Sequence, residues 1–147
     1  MTMLSIRIGT QLFSAVLEVD RAPKTCAAFL ARLPFEGRVI QARWSGEAGW
    51  IPLGEYDLGV PIENSVSDPG PGQILWHPAG ASEAELLVPY GITRFSSKVG
   101  QLEGNHFVTI VDPDGRLGEV GRALMWEGAQ DISFALSPAH DKPFPTT

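Results

Sequence analysis

The sequence predicts a mainly β domain in which many short strands and two brief helices fold into a small closed barrel. Three observations carry that reading. Gly occurs 16 times and Pro 12 times in 147 residues, often enough to cut the chain into short segments and to favour strands and turns over long helices. Apolar and polar residues alternate at the N-terminus, and short apolar runs recur between turn residues further on. Closing such strands on one another leaves few exposed edges. Hydrophobic residues make up 44% and charged ones 19%, which excludes a disordered chain, a collagen-like one and a coiled coil.

Leu4-Ser5-Ile6-Arg7-Ile8 alternates apolar and polar, as a half-buried strand does. Gly9-Thr10 supplies a turn and Leu12–Val19 returns, which makes a hairpin. Asp20 to Leu33 changes period: Pro23 suits a first helical turn, and Cys26, Phe29, Leu30 and Leu33 fall on one helical face. Pro34 stops the helix. Strand-like runs follow at Arg38–Trp44, Gly49–Leu53, Gln73–Trp76, Glu85–Val88 and Phe107–Val111, separated by turn clusters such as Asp68-Pro69-Gly70-Pro71-Gly72 and Asp112-Pro113-Asp114-Gly115. Leu117–Trp126 reads as a second short helix with Val120, Leu124 and Trp126 inward, and Asp131–Leu136 as the closing strand. One domain is expected over residues 3–136. Ser137–Thr147, with Pro138, Pro143 and Pro145, reads as an extended tail with little apolar surface to bury.

A net charge of −6 and scattered Lys and Arg argue against nucleic acid as a partner. The lone cysteine, Cys26, has no internal disulfide partner, which fits a reducing cytoplasm. No window approaches the roughly 20 apolar residues of a membrane span, so no membrane partner and an unexported protein are expected.

Ala22-Pro23-Lys24-Thr25-Cys26-Ala27-Ala28-Phe29 resembles the helix opening of cyclophilins, Ala-Pro-Lys-Thr followed four residues later by Phe, and it follows a hairpin as it does there. Leu33-Pro34-Phe35-Glu36-Gly37, Ala42-Arg43-Trp44-Ser45-Gly46-Glu47-Ala48 and Gly72–Pro78 extend the likeness to small bacterial and archaeal cyclophilin-like proteins, including a family known only as a domain of unknown function. The resemblance spans residues 3 to 136. It implies a cyclophilin-like closed antiparallel β-barrel of eight strands, capped by one or two short helices. The chain departs from true cyclophilins in lacking their Phe-His-Arg-Val-Ile-Pro, Met-Ala-Asn-Ala and Gln-Phe-Phe-Ile segments. It offers two arginines, Arg38 and Arg43, for the catalytic one, and Trp76, His77 and Tyr90 stand where the proline pocket would be lined.

Arg43 is the first candidate: its guanidinium could hold a carboxylate by paired hydrogen bonds or polarise a carbonyl, or it is a surface residue paired with Glu47. Trp44 and Trp76 adjoin turn-forming residues at strand ends, where aromatics would wall a barrel-mouth pocket, whereas Trp126 reads as core. His77 is the better general acid–base candidate; His106 and Asn105 could orient a ligand or simply fix the Gly104-Asn105-His106-Phe107 turn. Tyr90 adds a neutral hydrogen-bonding group, and Glu47 is a further ligand-binding candidate. Cys26 reads as inert packing. There is no His-x-His, no His-Glu-x-x-His and no cysteine pair, so neither a metal nor a cofactor is expected.

The expected function is binding of a small polar ligand, a carboxylate or an amide, in a pocket formed by Arg43, Trp44, Trp76, His77 and Tyr90, in an accessory metabolic enzyme or a simple binder. The alternatives are a peptidyl-prolyl isomerase acting on a peptide, whose chemistry needs an apolar slot and an arginine at the twisted amide, and a non-catalytic module with a tryptophan-lined homodimer face.

Overall fold

The computed structural model describes residues 2–80 and 82–137; the expected tail beyond residue 137 lies outside them. The chain forms β1 (Met3–Ile8), β2 (Gln11–Leu17), α1 (Pro23–Leu30), β3 (Phe35–Gln41), β4 (Gly46–Gly54), β5 (Ser65–Val66), β6 (Gln73–His77), β7 (Ala84–Thr93), β8 (Ser96–Ser97), β9 (Gly100–Gln101), β10 (Gly104–Val111), α2 (Leu117–Trp126) and β11 (Gln130–Leu136). Eight strands run in the order β2-β1-β11-β3-β4-β7-β6-β10, and β10 pairs back onto β2 to close an antiparallel barrel. This is the mainly β closed barrel with two short helices that the sequence predicts. β5 adds to β10, and β8 and β9 form a separate small ribbon.

The N-terminal alternation places Leu4, Ile6 and Ile8 inward at 0–2% exposure, and Gly9 turns the chain at a φ of 59° that glycine adopts without steric cost. β2 answers with Phe13, Ala15 and Leu17. α1 starts at Pro23, as expected, but ends at Leu30. Arg32 and Leu33 donate to the carbonyls of Phe29 and Leu30 three residues back, so the last apolar positions of the expected helix lie in a tightened turn. Asp112 takes the amides of Arg116 and Leu117 on its two carboxylate oxygens, each at 2.8 Å, and so starts α2. Leu117, Val120 and Leu124 bury one face of that helix. Trp126, expected in the core, is 84% exposed. It stands two residues past Leu124, about 200° around the helix from the buried stripe.

Phe29 of α1 meets Phe35 at the start of β3, ring centroids 5.7 Å apart, whereas α2 packs on β3, β4 and β7 with Leu124 beside Gly49, which pairs with the last residue of β3. The helices therefore close opposite ends of the barrel. Between them the interior is filled by Phe13, Ile74, Trp76, Phe107 and Phe134 among others. A second apolar cluster lies on the outer face of the sheet, where Leu75, Leu87 and Ala48 are covered by Phe95 and Leu102. β7 is thus buried on both faces, which explains why its Leu86-Leu87-Val88 run does not alternate.

Candidate functional site

The strand expected at Arg38–Trp44 ends at Gln41, and residues 42–45 form the β3–β4 turn that carries Arg43 and Trp44 out of the sheet. Ser45 ties this turn to the covering loop. Its hydroxyl donates to the Ser96 carbonyl at 3.1 Å and accepts from the Ser96 amide at 3.0 Å, and the Arg94 amide reaches the Ser45 carbonyl at 2.9 Å. Between turn and loop a cavity of about 190 Å³ opens over the outer face of β4 and β7, with Trp50 and Glu85 beneath it and Arg43, Trp44, Ser82 and Lys98 around it. The Arg43 guanidinium stands 5.8 Å from the Trp44 ring centre, which holds the cation beside an aromatic wall.

Glu85 went unnoticed in the sequence. It is 7% exposed, and burial, reinforced by the nearby Glu83 carboxylate, pushes its carboxyl from the ordinary 4.5 up to about 7. It therefore exchanges a proton near neutrality. The available signal was an acidic residue inside the apolar run Ala84–Val88. Ser82 Oγ, also in the wall, is buried without a hydrogen-bond partner among the described residues. A buried hydroxyl in that state loses its hydration with nothing in return.

On its other side Arg43 borders a larger groove of about 580 Å³, where Gln41, Glu47 and Tyr90 face Gly118, Gly121 and Trp126 of α2. Tyr90 donates its hydroxyl to Gln41 Oε1 at 2.7 Å; burial raises its phenol above the ordinary value, which the Gln41 hydrogen bond opposes. Glu47 accepts the Ile92 amide at 2.8 Å. Among the described residues no ion pair joins it to Arg43, so the surface pairing considered for these two is not formed.

The expected barrel-mouth constellation is not assembled in one place. Trp76 is 1% exposed inside the barrel, beside Tyr56 and Phe29 at the α1 end, where about 10 Å³ is empty; strand alternation turns it inward with Ile74. His77 lies on the outer face opposite Glu85, donates Nδ1–H to the Glu103 carbonyl at 2.8 Å and stands edge-on to Phe95, so it flanks the cavity without lining it. Asn105 and His106 are in β10 rather than in a turn. Asn105 clamps the preceding loop, accepting the Glu63 amide and donating to Thr25 Oγ1 and the Pro61 carbonyl. His106 donates Nε2–H to Thr109 Oγ1 at 2.8 Å, which donates to Glu18 at 2.5 Å. Burial holds the imidazole below its ordinary value, with Glu18 pulling the other way. The structure thus brings together Arg43 with Trp44 on one side and with Glu47 and Tyr90 on the other, and separates Trp76, Asn105 and His106 from both.

Cys26 is 1% exposed, its thiol donating to the Phe107 carbonyl and pushed up to about 12 by burial and then by Glu63 and Glu18. Iodoacetamide at mildly alkaline pH should therefore leave the folded chain unmodified and alkylate it only in denaturant. Labelling of the folded protein at the rate of an exposed cysteine would contradict this packing.

No helix among the described residues is long and apolar enough to cross a membrane, and no group of three or more metal-ligating side chains converges there. No curated protein matches the chain. Among solved structures, McbB in complex with tryptophan superimposes with a TM-score of 0.68 at 18% identity, over 96% of this chain. This chain spans about half of that protein's length (47%). The hypothetical protein AF2241 from Archaeoglobus fulgidus superimposes with a TM-score of 0.58 at 21% identity, covering 92% of this chain and 95% of its own. At these identities the likeness is one of fold. Residues 4–136, all of the barrel but the first residue of β1, match the family described as Protein of unknown function (DUF3830), and the chain belongs to that family.

Proposed function

We propose that the chain binds a small carboxylate-bearing ligand of amino-acid size in the cavity between the 42–45 turn and the 94–99 loop. The observation that carries this reading is the unpartnered Ser82 hydroxyl in a wall that also presents cations, Arg43 and Lys98, carboxyls, Glu83 and Glu85, and two indoles, Trp44 and Trp50. The cations suit a carboxylate, with the guanidinium able to bind it through two parallel hydrogen bonds. The Glu85 carboxylate suits an ammonium, and the indoles suit an apolar or aromatic side chain. A zwitterion with an aromatic group meets all three demands at once. McbB, which shares the fold, is known in complex with tryptophan, a ligand of that description. We further read the barrel as cyclophilin-like, supported by the Ala-Pro-Lys-Thr segment that opens α1 directly after the first hairpin.

Calorimetric titration with tryptophan, tryptamine and indole-3-propionate tests the proposal. Tryptophan should bind most tightly, and its affinity should rise with pH through neutrality as Glu85 ionises. Arg43→Ala should weaken tryptophan and indole-3-propionate about tenfold or more, the scale of a charge-assisted hydrogen bond, and leave tryptamine little changed. Absence of binding by all three, or equal tryptophan affinity in Arg43→Ala, overturns the reading.

A further inference from the structure

Around the groove between α2 and the β3–β4 turn the chain exposes an unusual set of large apolar side chains. Trp126 is 84% and Met125 60% exposed on the rim. Trp44 lies against Arg43 at 54%, and Ile92, whose amide binds the Glu47 of the groove wall, is 87% exposed. Large apolar groups exposed singly are ordinary on a soluble protein, but a cluster around a concavity marks a contact surface. The groove exists because α2 presents glycine there. Gly121 lets the Tyr90 ring lie directly against the helix, where a Cβ would run into it, and Gly118 leaves the space beside that ring open, about two turns before the helix's own protruding indole.

Knob and hollow therefore lie on the same surface. So do both signs of charge, with Arg43 and Arg122 beside Glu47 and Glu127. A surface that carries its own complement in shape and in charge satisfies the requirement of a twofold contact, in which each copy gives what it receives. We propose that this face is a homodimer interface, in which the Trp126 indole of each copy occupies the groove beside Tyr90 and Gly118 of the other. Tryptophan at the centre of a contact is the residue type that most often dominates its energy. The face meets the ligand cavity at the Arg43–Trp44 turn, which borders both, whereas Trp126 belongs to the face alone.

Sedimentation equilibrium over a wide concentration range tests it. The wild-type chain should approach twice its 15.9 kDa mass as concentration rises. Trp126→Glu should remain monomeric throughout, with the melting temperature and circular dichroism of wild-type monomer, because the side chain takes no part in the core. Trp126→Ala, which adds no charge, should weaken dimerisation at least tenfold, whereas Ile62→Glu, at a 75% exposed site away from the groove, should leave it unchanged. A wild-type monomer at every concentration, or a Trp126→Glu protein that dimerises like wild type, overturns the proposal. Neither result bears on tryptophan binding by the monomer, so the two readings fail separately.

Discussion

Glu85→Gln should make the folded protein more stable at neutral and alkaline pH, by about 3 kcal/mol above pH 7 and by little near pH 4.5. The carboxyl is 7% exposed on a strand covered on both faces, and burial followed by the Glu83 charge raises it from 4.5 to about 7. The sign follows from proton linkage. Between those two values the folded state holds the proton more tightly than the unfolded chain does, so raising the pH through this window removes stability, and above it the loss is complete. The difference between 4.5 and about 7 corresponds to about 3 kcal/mol. This is an upper figure, since a glutamine must still place its own amide. The change is large against the few kcal/mol that separate most folded domains from unfolding. Urea denaturation of both proteins at acidic, neutral and alkaline pH gives the answer directly. Curves that stay parallel across the series, with no growing gap, would mean that Glu85 is ionised in the folded state as easily as in water.

Phe29→Ala should cost about 3–5 kcal/mol, the range for emptying an aromatic site in a packed core. The ring is 2% exposed and stands 5.1 Å from Phe107 and 5.2 Å from Phe134 in edge-on contacts, and 5.7 Å from Phe35. Those three neighbours belong to three different strands, β10, β11 and β3, so one side chain on α1 fastens the helix across the barrel end. Edge-to-face pairs add about 0.5–1.5 kcal/mol each beyond area burial. Phe29→Leu, which keeps most of the volume, should cost about 1 kcal/mol. Equilibrium unfolding in urea separates the outcomes; equal midpoints for Phe29→Ala and wild type would show that α1 contributes nothing to closing the barrel.

The strands and helices were legible wherever local periodicity decides them. Leu4, Ile6 and Ile8 alternate, and Pro23, Cys26 and Phe29 set a helical face, so the first hairpin and α1 follow from the chain itself. The site was legible only in part, because a residue's partners across the sheet leave no mark on its neighbours in sequence. Arg43 and Trp44 do stand side by side on a projecting turn. Trp76 was drawn to the mouth by the turn residues that follow it, although its place beside Ile74 on β6 fixes it inside. Trp126 was drawn inward by the usual habit of its residue type, although the spacing from Leu117, Val120 and Leu124 already excluded it from the buried stripe. Glu85 was hidden for the opposite reason. Its environment is made by residues 94–102, which pass over β7 from further along the chain, and no periodicity announces such a cover.

The two apolar clusters, one inside the barrel and one outside it, are separated by the sheet that both of them line. They need not come apart together. Lifting residues 94–102 exposes Phe95 and Leu102 and uncovers the outer faces of Leu75 and Leu87, while Trp76, Leu86 and Val88 keep their partners on the inner face. Such an opening would break fewer contacts than global unfolding, and it would have to part the two hydrogen bonds of the Ser45–Ser96 staple first. One wall of the cavity is thus a cover whose release would leave the inner packing of the barrel intact.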